Sequence, residues 1–285
     1  MSTAVMKCLR GWLSRRAGEA SFARLDKACA AIAEGAPERK LFMTFSAAPR
    51  HVGKHDLELS EADLAAARDA RTDWNPSGWT TAAAGRALAL LSLPATDRDG
   101  WLRTLDKLIE SADVGEQIAF FQTLPLLPHP EALVGRCTEG LRTNITAVFR
   151  AIAHANPFPR EQLSESAWNQ MVLKALFVDI TLAPIIGLDA RANPALTLML
   201  RDYARERRSA GRRVSPELWR CVALAPAEDA LDELELAARG EDPREALGAR
   251  LALARSPHDA AARRLDALGR EGLDDHTWDS VNALP

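Results

Sequence analysis

Tyrosine occurs once in this sequence, and aromatic residues of all kinds make up 6% of it. Strands favour aromatic and β-branched side chains, and both are sparse outside a few segments, so a sheet core has little to build on. The four cysteines, Cys8, Cys29, Cys137 and Cys221, lie far apart and form no CxxC pair. They read as reduced, mostly buried thiols, not as a disulfide frame or a zinc site. No GxSxG, P-loop or GxGxxG pattern occurs, and the residues alone specify no reaction. Long apolar runs are missing too. The best of them, residues 171–188, contains Lys174, Asp179 and Pro184 and fails as a lipid-facing helix. Residues 1–16 carry cations without the apolar run of a secretory signal, so a cytoplasmic location is expected.

What is present is alanine, leucine and charge. Hydrophobic residues make up 47% and charged residues 26%, an ordinary globular balance. A chain of 285 residues can bury a sizeable core as one elongated domain or two lobes. Its formal net charge of −3 argues against a general nucleic-acid coat.

Helix signals recur along the chain, and Pro-containing turns, at Pro94, Pro125, Pro157, Pro226 and elsewhere, cut it into short pieces. Asn193-Pro194, Ser215-Pro216, Asp242-Pro243 and Ser256-Pro257 each pair a capping side chain with proline at the first helical position. Ser60 with Asp63 gives a looser start of the same kind. Helices are expected around Leu88 and Leu91, over residues 102–109, 114–123, 129–142 and 145–155, and in three stretches from Ala227 onwards. Residues 51–59 and 72–78 read as loops. Brief connections between short helices predict an all-α fold of antiparallel helix pairs stacked as a HEAT-like α-solenoid, with a compact irregular helical bundle as the alternative. The chain reads as one helical domain over 1–285, divisible at the second loop into an N-terminal cap, 1–72, and a main body, 73–285.

Residues 168–177, WNQMVLKALF, are expected to form one helix. Trp168, Val172 and Leu176 make a stripe, Met171 and Ala175 lie beside it, and Leu173 and Phe177 fall on the opposite side. A helix apolar nearly all round belongs in the interior. There Asn169, Gln170 and Lys174 need partners, because burying an unpaired amide or ammonium is costly. Gln170 and Lys174 share a face, and Asp179 reaches Lys174 if the helix continues. The cluster either faces a groove or is a structural network tying helices together.

Three blocks carry a family resemblance: RTNITAVFRAIAHANPFP (142–159), AWNQMVLKALF (167–177) and IIGLDARANPALTLMLRDYARERRSAGRRVSPELWR (185–220). They resemble the signature blocks of EboA-domain proteins, with weaker similarity over 79–91 and in the LPLLP run from Leu124. Families of this name come from bacterial gene clusters that make or export secondary metabolites, beside companions resembling prenyltransferases, TIM-barrel proteins and metal-dependent hydrolases. The resemblance implies a pathway-associated role, handling a hydrophobic or prenylated precursor or scaffolding other proteins of the same cluster, with no activity to assign. Asn156, Trp168, Asn169, Gln170, Lys174, Asp202, Tyr203 and Trp219 stand at matching positions and are the candidate ligand- or partner-binding residues. Residues 178–182 depart from the pattern, which leaves Asp179 outside it, and His154 stands where a plainer residue is expected.

Other signals have plainer accounts. Arg201, Arg205, Arg207, Arg208, Arg212 and Arg213 would suit a phosphate or diphosphate, but a solvated helix with internal ion pairs explains them as well. Asp274, Asp275 and Asp279 spell DDxxxD, a magnesium–diphosphate pattern, yet little chain remains there to enclose a substrate. His51 and His55 straddle Gly53 and lack a third ligand nearby. No metal or cofactor is therefore expected. The first helix sets Val5, Leu9, Trp12 and Leu13 against Lys7, Arg10, Arg15 and Arg16. It suits contact with an anionic membrane surface or, more simply, the capping of a helical array.

The leading expectation is a non-catalytic binding or scaffold protein with a groove between the Trp168–Lys174 helix and the Asp202–Tyr203 helix. Two rivals remain open. An enzyme acting on a phosphorylated or prenylated metabolite would need Lys174, Asp202 and an arginine to converge on one cavity. A HEAT-like nucleic-acid binder would need a continuous basic face, and no nucleic-acid partner is expected.

Overall fold

A sequence rich in alanine and leucine and poor in β-branched residues forms helices alone. A computed structural model describes residues 2–224, 228–270 and 272–282, without the side chains at 2, 228, 279 and 282. Among these residues every regular element is helical, and an isolated bridge between Asp56 and Thr80 is the nearest approach to a sheet. The expected all-α class holds. Contacts gather the chain into two compact units, Met1–Leu163 and Ser164–Pro285.

The first unit holds α1 (Ser2–Ala17), α2 (Glu19–Ala33), α3 (Glu38–Val52), α4 (Glu61–Ala70), α5 (Thr81–Leu91), α6 (Arg98–Glu110), α7 (Val114–Thr123), α8 (Val134–Gly140), α9 (Thr146–Ala153) and α10 (Phe158–Gln162). A short 3-10 turn, Leu124–Leu126, follows α7, and another, Pro130–Leu133, takes the place of part of the helix expected over 129–142. At the centre lies α5, buried from Thr81 to Leu90, with α1, α2, α3 and α7 packed on it. Its small residues make that possible: a Cβ on Gly85 would stand 3.2 Å from both Leu25 and Val52. The expected loop over 51–59 begins only at Gly53, because α3 runs on to Val52 through an internal Pro49. Proline has no N–H, so the Phe45 carbonyl four residues earlier loses its ladder partner. Arg86 of α5, 6% exposed, donates its Nε to that carbonyl at 3.1 Å, with Glu116 3.8 Å away.

The apolar face of α1 is spent inside this unit, with Val5, Leu9, Trp12 and Leu13 all buried. Its cations meet local carboxylates: Arg10 pairs with Asp26, Arg15 with Asp63 and Arg16 with Glu58. Asp63 does the most. It completes a reciprocal capping box with Ser60 at the start of α4, and its Oδ1 accepts from the Trp12 indole at 2.9 Å and from Arg15 at 2.7 Å.

The second unit holds α11 (Glu165–Phe177), α12 (Pro194–Ser209), α13 (Leu218–Leu224), α14 (Glu228–Ala238), α15 (Pro243–Arg255), α16 (Asp259–Leu268) and α17 (Trp278–Asn282). Pro226, Ala227 and the Asp279 side chain lie outside the described residues. Two of the four capping pairs behave as expected. The Asn193 side chain accepts from Leu196 N at 2.9 Å and Asp242 from Arg244 N at 2.9 Å, each followed by proline. The other two differ. After Ser215-Pro216 the chain turns once more before α13 starts at Leu218, since Glu217 is engaged elsewhere. Ser256 ends α15, and α16 starts only after His258, with Pro257 in the bend between them.

The arginine run is the solvated, internally paired helix expected only in part: Arg205, Arg212 and Arg213 are exposed and Arg205 pairs with Asp202 within α12. Its other ion pairs cross to neighbouring helices: Arg201, 6% exposed, reaches Asp229 and Glu233 of α14 at 2.7 and 2.9 Å, Arg205 shares Glu233, and Arg208 reaches Glu245 of α15 at 2.6 Å. Close approach completes the packing, for a Cβ on Gly248 of α15 would lie 2.6 Å from Pro216 Cβ and 2.8 Å from its carbonyl oxygen. Cys29, Cys137 and Cys221 are buried, and loss of solvation pushes their thiols up to about 11, 12 and 12.

Burial alone would raise the Asp63 carboxyl, but hydrogen bonds from Arg15 and Ser60 outweigh it and hold the group at about 2, against an ordinary 3.8. A folded value below the unfolded one means stability that is present above about pH 4 and lost as pH falls towards about 2. Asp63→Asn is expected to destabilise the protein at neutral pH and to flatten that acid limb. Urea unfolding across a pH series checks this, and parallel acid limbs for the two proteins would remove Asp63 from the role.

Candidate functional site

A cleft of about 530 Å³ lies wholly within the second unit. That volume falls in the range of small-molecule sites, roughly 300–1,000 Å³. Its first wall forms where α11 stops. Val178 closes the last turn, Asp179 takes a left-handed φ of 57°, and the chain leaves the helix axis, so Leu176, Phe177 and Ile180 face the cleft together. Leu176 and Ile180 are buried, whereas Phe177 is 74% exposed at the rim.

The second wall is α12, where Tyr203 and Arg207 are four residues apart and share a face. Beyond them α12 ends on Gly211, φ 63°, with Arg212 N bonded to Arg207 O at 2.8 Å and Gly211 N to Arg208 O at 2.9 Å. This paired closure around a left-handed glycine turns the chain back on itself. Residues 213–217 thereby return to the cleft. The Arg207 Nε donates to the Arg213 carbonyl at 2.9 Å, and its guanidinium carbon sits 5.9 Å from the Tyr203 ring centre. Among the described residues no carboxylate pairs with Arg207, in contrast to Arg201, Arg205 and Arg208.

Glu217 fixes the floor. It is 1% exposed, and its two carboxylate oxygens accept from Leu182 N at 2.7 Å and Ala183 N at 2.8 Å. Two amides of a segment with no helical ladder are thus satisfied by one charged group, the strong form of hydrogen bond. Asp242 and Arg244, at the start of α15, close the far side, and Arg213 lies 3.9 Å from Asp242 at the edge.

Of the candidates read from sequence, Tyr203 lines this cleft, and its hydroxyl donates to the Leu176 carbonyl at 3.5 Å. Trp168 is fully buried beneath Arg191, 4.7 Å from its ring centre, and its indole Nε1 has no hydrogen-bond partner among the described residues. Asn169 is 2% exposed and exchanges amide hydrogen bonds with Asn193 at 3.1 and 2.9 Å. Since Asn193 also caps α12, the pair ties α11 to that helix start. Gln170 is exposed, and with Leu173, Lys174 and Phe177 it marks an outward face, so α11 is not apolar all round. Lys174 is half-buried, and lost solvation lowers its pKa. Asp202 is exposed and pairs with Arg205. Trp219 is buried, donates Nε1 to Glu245 at 3.1 Å and lies under Arg208. Asn156 belongs to the first unit, where its Nδ2 donates to the Phe121 and Ala151 carbonyls at 3.0 and 3.1 Å.

Lys174 and Asp202 therefore do not converge with an arginine on the cleft. Sequence reasoning passed over Glu217 and left Arg207 within an undifferentiated run. The spacing from the chain's one tyrosine to Arg207 was the available signal; Glu217, following a proline, looks like any acid in a first helical turn.

A family model described as metabolite traffic protein EboA matches residues 5–223. No curated protein and no solved structure matches the chain. The matched span takes in the cleft residues from Leu176 to Glu217 and leaves out Asp242 and Arg244.

Asn193 is half-buried and keeps its bonds to Arg191 O and from Leu196 N, so removing Asn169 forfeits only the two bonds between the amides, about 1–3 kcal/mol together. Asn169→Ala is expected to lower unfolding stability by that amount, measured in urea. A neutral effect on stability would show that the pair is not a tie.

Proposed function

This chain belongs to the EboA family, which gives it a metabolite-related role, and from that we propose that it binds its cargo and does not transform it. The cargo is an amphiphile with an anionic head and an apolar tail, of the prenylated or terpenoid diphosphate class. The observation that carries this reading is Arg207, on the cleft wall without a carboxylate partner among the described residues, beside the apolar surface of Leu176, Ile180 and Val214. With Nε tied to a carbonyl, its terminal nitrogens are oriented and remain for an anion, and a guanidinium fork suits phosphate oxygens. Arg213, at the rim, adds a second cation. The tail would run along the apolar wall to Phe177, whose exposure is then relieved.

A binding role is favoured over catalysis because two of the three acids lining the cleft, Glu217 and Asp242, are structural. Glu217 holds backbone amides, Asp242 caps α15, and Asp202 points its charge at Arg205 outside the cleft. Asp179, exposed where α11 ends, is the cleft acid without such a task, and a lone solvated carboxylate with no second group to share the proton is a weak basis for acid–base chemistry.

Farnesyl diphosphate and farnesol serve as probes, by calorimetry and thermal melting. At a hundred-fold excess over Kd the diphosphate is expected to stabilise the fold by about 2.7 kcal/mol. Arg207→Gln should cost about 1.5–3 kcal/mol of diphosphate affinity, a hydrogen bond to a charged group, and leave farnesol unchanged. Wild-type protein indifferent to both probes, or a variant that binds the diphosphate as well as wild type, would sink the proposal.

A further inference from the structure

Residues 39–55 hold four cations, Arg39, Lys40, Arg50 and Lys54, and no acid. Three of the four stand on α3, which packs on α1, α2 and α5 and buries Leu41, Thr44, Phe45, Ala48 and Val52. At 3.6 residues per turn, Arg39, Met43, Ser46 and Arg50 fall on one line along the opposite side, with Phe42 and Ala47 beside it. Exposure follows that line. Met43 is 58% exposed, Arg39, Ser46 and Arg50 are exposed, and Phe42 and Ala47 are half-buried. The outward face of α3 thus has an apolar middle and a cation at each end, flanked by exposed Lys40 and Lys54.

Local stability does not account for these charges. Arg39 and Lys40 lie in the first turn, beside the positive end of the helix dipole, where an acid is favoured and a cation is not. The acid of that turn, Glu38, is spent on Lys107 of α6 at 2.9 Å. Among the described residues no carboxylate pairs with Arg39, Lys40, Arg50 or Lys54, in contrast to Arg10, Arg16 and Arg136. A hollow of about 520 Å³ on this face is lined by Phe42, Met43, Ser46, Ala47, Arg50 and His51, all residues of α3. With no second element to wall it, the hollow encloses neither a small molecule nor a partner helix. The other cationic helix, α1, has no apolar face to offer, since Val5, Leu9, Trp12 and Leu13 are buried.

We propose that the outward face of α3 rests this protein, weakly and reversibly, on an anionic lipid bilayer. Charge and shape together select that partner. A surface of phosphate headgroups meets the four cations, while Met43 and Phe42 enter the boundary between headgroups and acyl chains. A nucleic acid would match the charges and leave Met43 without a role. Each cation near such a surface raises affinity about fivefold, and the small apolar area keeps the contact short of a permanent anchor. The contact stands independently of the cleft in the second unit.

The test is flotation of the full chain with vesicles of phosphatidylcholine alone or in equal mixture with phosphatidylglycerol. Binding is expected to the mixture only, at about 0.1 M salt, and should be lost near about 1 M, where the screening length falls to about 3 Å. Arg50→Gln with Lys54→Gln should weaken it about 25-fold, and Met43→Ser about fivefold. Arg142→Gln with Arg263→Gln removes the same charge elsewhere and should leave binding as it is. All five side chains are exposed, and unchanged melting temperatures report that each variant is folded. Absence of flotation with the mixture overturns the proposal, as does an equal loss in the Arg142 and Arg263 double variant. Tighter binding to a duplex oligonucleotide than to the vesicles, unaffected by Met43→Ser, gives the face to nucleic acid and overturns it too.

Discussion

Every backbone group withdrawn from a helical ladder must be given another partner, and in this protein polar side chains from distant elements provide it. Pro49 deprives the Phe45 carbonyl of an N–H, and Arg86 supplies one from the buried helix α5. Pro125 takes the α-helical partner from the Phe121 carbonyl, which keeps the Leu124 N–H and gains the Asn156 amide. Where α11 gives way to irregular chain, Glu217 takes the amides of Leu182 and Ala183. These contacts let many short helices and their turns share an interior without stranded backbone groups at those breaks.

The cleft in the second unit follows from that constraint. Irregular backbone is tolerated at its floor because a carboxylate holds it, and that carboxylate is available because α13 begins two residues late. Gly211 then matters as the point where α12 reverses, delivering Arg213 and Glu217 to the face that already carries Tyr203 and Arg207. The walls of the cleft thus rest, in this chain, on turn chemistry as much as on helix faces.

Local signals are legible in the sequence and long-range ones are not. Asn193-Pro194 and Asp242-Pro243 start helices because capping depends on three or four adjacent residues. Ser215-Pro216 looks identical, but the course of the chain after it is decided by a partner 34 residues upstream, at Ala183. The helix over residues 168–177 is legible as a helix, and Asn169 as a buried amide needing a partner. Its outward face is not, because Leu173 and Phe177 are apolar yet turned away from the core. The arginine run gives the charges without their destinations; only the positions of α14 and α15 separate the paired Arg201 and Arg208 from Arg207.

The tryptophans keep different company in the two units. In the first, Trp12, Trp74 and Trp79 stand ring to ring within 6 Å, and Trp101 meets His129 edge-on at 5.7 Å. In the second, each lies beneath a guanidinium: Trp168 under Arg191, Trp219 under Arg208, and Trp278 under Arg220 and Arg255. Indoles that close share their excited states and split near-ultraviolet circular dichroism, whereas a cation over an indole shifts its emission. The two halves of the chain therefore carry separate optical signatures, one excitonic and one electrostatic, and the melting of either half has its own colour.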